Sequence, residues 1–266
     1  MIQGKVHNFS AATKFESTPE TDNNRCVLVE LYTNPHFGRK QGENWEGFAI
    51  GGSMAMEGVL SHFPRERAVV LVHHIDLPEP CALMTDLGMH SFQMYGLEGP
   101  VSTVIYGGDF GPGAQRWRKA EEVYEANRAL VSDHLTQPSE VELAIDATLA
   151  DDGTVRGTVR VTAPDARLLR VQVVLAERGV LYPGKSVVVV KRMVARGSVL
   201  DSIDGVRLEN VEGEQTISFT RTLAEITAAN VAFLDAYEQN GGGAASRLSV
   251  KIDPRQVSLV AFIRNA

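Results

Sequence analysis

Residues 26–36 read CVLVELYTNPH, and this stretch decides the fold. Cys26–Thr33 is an unbroken apolar, β-prone run, which predicts a strand buried on both faces. Polar and glycine-rich sequence follows at once, NPHFGRKQGENWEGFAIGG over 34–52, and predicts a long loop. From Ser53 to Phe63, Met54, Met56, Val59, Leu60 and Phe63 recur at helical spacing behind Ser53 as N-cap. Ala68–Ile75, AVVLVHHI, is a second strand. After LPEP, a helix is expected over Cys81–Tyr95, stopping at Gly96. Ser102–Tyr106 is a third strand, and Ala114–Leu135 a long helix carrying Trp117, Val123, Tyr124, Leu130, Val131 and Leu135. Strands alternating with helices predict an α/β layer with some parallel pairing.

The pattern changes at Gln137-Pro138. VELAIDATL, TVRGTVRVT, LLRVQVVLAE, SVVVVKRMVARG and EQTISFTRT alternate with period two between turn signals, as strands of an antiparallel β-sandwich do. A helix over Leu223–Tyr237 interrupts them. LSVKI and QVSLVAFIR complete the set. The expected division is a leader over 1–25, an α/β domain over 26–137 and a sandwich domain over 138–266.

Composition narrows the function classes. The chain has 266 residues, 44% hydrophobic and 22% charged, enough to bury a sizeable core. Two cysteines with no C-x-x-C cannot build a disulfide framework. A net charge of −7 carries no basic footprint for nucleic acid. No apolar run reaches the roughly 18 residues that a transmembrane helix needs, and residues 1–24 lack a signal-peptide core. A cytoplasmic location is expected from the sequence as it stands. No P-loop, well-placed dinucleotide fingerprint or G-x-S-x-G elbow is present, and no cofactor is expected.

The order strand, loop, helix, strand, helix, strand, helix resembles a thioredoxin fold. CVLVELYT resembles its first core strand, and YGLEGPVSTVIYGG the segment that carries its cis-proline. VELYT, VHHID, VVLAERGVLYPG and VSLVAFI together look like bacterial envelope proteins of the Omp28-related and DUF1223-like type. That resemblance implies a thioredoxin-like domain followed by a β domain, with relatives usually in the cell envelope. The chemistry of the fold needs a thiolate and a resolving cysteine three residues on. Those positions fall here on His36 and Arg39, or one residue later on Phe37 and Lys40. The motif is degenerate in either register. Pro100 is followed by Val101-Ser102 where proline-threonine is expected.

These departures predict a non-catalytic accessory or scaffold subunit that binds protein partners in a larger assembly. A membrane-bound electron-transfer complex, reached peripherally through a partner, fits that description. Phe37, Arg39, Trp45 and Phe48 are interface candidates in the long loop. The alternative is a redox enzyme dependent on a metal or a single cysteine. Its metal set would be His36, His73, His74 and Asp76. Neighbouring strand residues point to opposite faces, which sets His73 against His74. Cys81, placed at an expected helix start, is the candidate reactive thiol.

Overall fold

A computed structural model describes residues 4–8, 25–35, 45–77, 79–99, 101–105, 109–111, 120–163, 169–182, 189–209 and 213–265, with backbone alone at 4–8, 45–50 and 109–110. The described residues form a mixed α/β fold, with one large sheet and four α-helices. The elements run β1 (Gly4–Asn8), β2 (Val27–Thr33), α1 (Trp45–His62), β3 (Ala68–His74), α2 (Asp86–Met94), β4 (Ser102–Ile105), β5 (Asp109–Gly111) and α3 (Ala120–Thr136). Then come β6 (Glu142–Leu149), β7 (Thr154–Thr162), β8 (Leu169–Glu177), β9 (Val180–Leu181), β10 (Val190–Lys191), β11 (Val194–Ser198), β12 (Val206–Arg207), β13 (Glu214–Thr222), α4 (Leu223–Gln239) and β14 (Val257–Asn265).

Every residue of β2 and β3 is buried, as the unbroken apolar runs predict for a parallel pair covered on both sides. Val27, Val29 and Leu31 face a core shared with Met56 and Val59 of α1 and Val123 and Val131 of α3. Leu28, Val69 and Leu71 face the other side, toward Leu87 of α2. β2 also pairs antiparallel with β4, and β4 with β5.

The large sheet does not stop at residue 137. Its order is β1-β14-β8-β11-β3-β2-β4-β5, with β12 beside β8. The junction is narrow. Val194 of β11 stands parallel to Val72 of β3, and the Val72 amide donates to the Met193 carbonyl at 2.8 Å. Strands from both sides of residue 137 therefore share this sheet, while β6 and β7, which follow 137 directly, do not belong to it. A separate antiparallel sheet, β13-β7-β6, packs Val155, Val159 and Phe219 against Val171, Val173, Leu259 and Ile263 of β8 and β14. α4 closes this core with Leu223 and Ile226. A capping box at Thr222 and Glu225 starts α4 where the sequence places it.

Four local expectations are revised. The span 45–52, expected as loop, belongs to α1. Its glycines lower helix propensity. Further along α1, a Cβ on Gly58 would lie only 2.7 Å from the Tyr124 ring, whereas one on Gly51 would make ordinary contact with Ala120 at 3.8 Å. α2 begins at Asp86 and not at Cys81, because Thr85 accepts the Gly88 amide at 3.1 Å and caps it there. It ends before Gly96, which takes φ +62. LSVKI is not a strand: Leu248-Ser249 is a turn, and Ser249 sits at φ 63. Its alternation survives as burial of Val250 and Ile252. The expected leader is anchored at two points. β1 pairs with β14 along the sheet edge, and the buried Arg25 donates to the carbonyls of Gln137 and Pro138 at 2.8 and 2.9 Å.

One ion pair ties the second half together. Arg196 of β11 and Glu177 of β8, both buried, meet at 3.2 Å. Arg196 also donates to the carbonyls of Ser249 (3.0 Å) and Val250, and Glu177 accepts the Asp253 amide at 2.8 Å. Asn230 of α4 donates to the Arg196 carbonyl at 2.8 Å.

Candidate functional site

β2 and β3 are parallel, so their carboxyl ends open on the same edge, where α/β sheets commonly bind ligands. Here that edge forms a cleft. Thr33 and Asn34 leave β2, His74 ends β3, Ser53 and Glu57 come from α1, and Lys191 and Arg192 come from the opposite side. Leu31, Met56, Leu60, Val72 and Val190 give it apolar walls. The cavity is about 30 Å³, room on the order of one or two waters or one small polar group.

Backbone geometry explains how the cations reach this place. Met193 takes φ 50, a left-handed conformation unusual for a side chain of its size. That turn lets β10 leave the large sheet and pair with β9 instead, with Lys191 turned inward. Arg192 is matched: it donates to Glu57 Oε2 at 2.6 Å. Lys191 is only 8% exposed. Among the described residues no hydrogen bond or ion pair reaches its ammonium. Burial pulls its pKa below the ordinary lysine value. Asn34 holds the β2 exit by donating to the carbonyls of Ile75 (2.5 Å) and Glu79 (2.7 Å).

Behind the cleft lies a buried polar cluster that the sequence reading missed. Glu30, 2% exposed, accepts from Tyr95 at 2.9 Å and Tyr32 at 3.2 Å, and bonds His73 Nε2 at 3.1 Å. The His73 ring stacks on Tyr32 with centroids 4.9 Å apart. Burial foremost, then the Glu30 charge, pushes both phenols well above the usual tyrosine value. The signal was available in the sequence: a carboxylate in the middle of CVLVELYT has to find partners.

The candidate residues divide. His73 faces Glu30 and His74 lines the cleft, as strand alternation requires. Asp76 turns to α4, accepting from the Tyr237 hydroxyl at 3.0 Å. The three go to three places, and among the described residues no group of three or more His, Cys, Asp or Glu side chains is set to hold a metal. His36, Phe37, Arg39, Lys40 and Pro100 lie outside the described residues. Trp45 and Phe48 fall on the first turns of α1, with only their backbone described.

Cys81 is not at a helix start. It is fully buried, and desolvation pushes its thiol up to about 12. A protonated, inaccessible sulfur is a poor nucleophile. Cys26 is buried too, and neither cysteine is in a disulfide. Iodoacetamide at pH 8 is therefore expected to leave both unmodified in the folded protein and to alkylate both in urea. Mass spectrometry reads the difference, and fast native alkylation of Cys81 would contradict this placement.

No family model matches the chain, and no curated protein matches it. A solved structure, HBP35 of Porphyromonas gingivalis, is similar with a TM-score of 0.59 at 12% identity, over 76% of this chain and 65% of that one. The likeness is one of fold. The chain spans about 65% of the length of the structure it matches.

Proposed function

We propose that this chain is a thioredoxin-like, non-catalytic accessory subunit of the Omp28-related and DUF1223-like type, with a sandwich half that docks a protein partner. The strand–helix order over 27–136 and the sheet order β3-β2-β4-β5 support the thioredoxin-like reading. The burial of both thiols speaks against single-cysteine chemistry.

The observation that carries the partner reading is an apolar patch on β9 and β10. Leu181 is 68% exposed and stands opposite the exposed Val190, with exposed Val189 beside it. Leu248, 62% exposed, joins them because Ser249 Oγ donates to the Leu181 carbonyl at 2.9 Å. Apolar side chains gathered at one place on a surface mark interaction sites more often than ones scattered singly.

The test places a benzoylphenylalanine photocrosslinker at position 181 of the chain in its native cells. One discrete adduct with a different protein is expected, and it should disappear when Leu248→Glu is added. The same probe at exposed Thr148 on β6 should give none. A smear equal at both positions, or an adduct only with a second copy of the chain, would refute the reading.

A further inference from the structure

We propose that the cleft at the carboxyl ends of β2 and β3 is a carboxylate-binding site in which Lys191 supplies the counter-charge. This goes beyond the partner-binding reading, since it concerns a small polar cleft that borders the exposed patch at Val190.

Three observations carry it. The first is the unmatched cation. A buried ammonium normally has an acidic partner, and Arg192 next to it has one in Glu57, while Lys191 has none among the described residues. Among the described residues, the ionisable group that acts electrostatically on Lys191 is the Cys81 thiol, which burial keeps protonated and therefore uncharged. The second is placement. Lys191 is more than nine-tenths buried as a residue, and it lines the cavity. The third is the shape and chemistry of the walls. A cavity of about 30 Å³ takes one carboxylate group and not a nucleotide. Thr33 and Ser53 add hydroxyls that can donate to the second oxygen, and Met56 and Val72 are apolar neighbours for a short alkyl substituent. The ligand class is thus a small aliphatic monocarboxylate. The same group can be carried by a free acid or presented at the end of a peptide chain.

Calorimetric titration of the full chain tests this with propionate, with a short peptide ending in a free carboxylate, and with the same peptide amidated. Sodium chloride at matched ionic strength is the control. Saturable binding of propionate that falls about tenfold or more in Lys191→Met, the scale of one charge-assisted hydrogen bond, supports a free acid. Binding of the free-carboxylate peptide but neither propionate nor the amide supports the peptide-borne group. No saturable binding by either carboxylate overturns the proposal. So does equal binding by Lys191→Met, or an effect that chloride reproduces. Lys191→Met removes a buried charge and is expected to fold. Lys191→Gln, which keeps polarity without charge, should lose binding as well. Retention of binding there would show that the ammonium is not the determinant.

Discussion

Replacing Glu177 by leucine is expected to lower the unfolding free energy by about 3–5 kcal/mol, because it strands a buried guanidinium. Arg196 is held among β8, α4 and the 249–253 segment with no path to water, and Glu177 is its ion-pair partner. Burial acts on both members before their attraction does. It raises the Glu177 carboxyl above, and lowers the Arg196 guanidinium below, their ordinary values. For the carboxyl the sign follows: a raised folded pKa gives a contribution that is fully present below the usual value and lost as pH rises through the folded one. At neutral pH the pair therefore stabilises less than its distance suggests. Removing both partners as Glu177→Leu/Arg196→Met should cost clearly less than the sum of the single changes. Urea denaturation of the four-member cycle reads this. Additive losses would mean that the two side chains do not depend on each other.

The second large effect is expected at Glu30. Glu30→Leu removes the acceptor for Tyr95 and the partner of His73 Nε2, and takes one bond from Tyr32. Each buried group left unsatisfied costs about 1–3 kcal/mol, so a loss of about 2–4 kcal/mol is expected. Glu30→Gln keeps an acceptor and should cost less. The same cluster predicts a pH dependence. Tyr32 and Tyr95 have folded pKa values raised above 10.0. Their contribution is fully present below that value and is lost as pH rises beyond it, because the unfolded chain releases protons that the folded chain keeps. Denaturation midpoints should fall above pH 10, and less steeply in Tyr95→Phe. Equal slopes in the two proteins would remove Tyr95 from the account.

The legible part of this fold is the part written in local pattern. β2 and β3 follow from two unbroken apolar runs, and α4 from the helical segment read over Leu223–Tyr237. The alternation of 139–222 gives β6, β7, β8 and β13. What could not be read is long-range pairing. Nothing in VVVVKRMVARG says that β11 will dock on β3, since a run of alternating residues offers two edges and names no partner. The first turns of α1 were hidden by their own composition: Gly47, Gly51 and Gly52 lower helix propensity and suggest a loop. The candidate site divides in the same way. The strand ends that frame the cleft are visible from the β2 and β3 runs. Lys191 enters only through the turn at Met193 and the β9–β10 pairing, neither of which has a distinctive local signature. Glu30 was visible in plain sight, and its partners Tyr32 and Tyr95 were not.

The continuous sheet also constrains how the chain can fold. Val6 pairs with Val260, and Val72 with Val194, so two of its seams join segments far apart in sequence. Contacts of that separation form slowly, because a long stretch must be closed into a loop before any ladder rewards it. During synthesis, β3 emerges well before β11 and presents an unpaired apolar edge while it waits. Such edges recruit other chains. A chain cut after residue 137 would keep that edge open permanently. It should aggregate when expressed alone, even though every helix and strand of its own pattern is present.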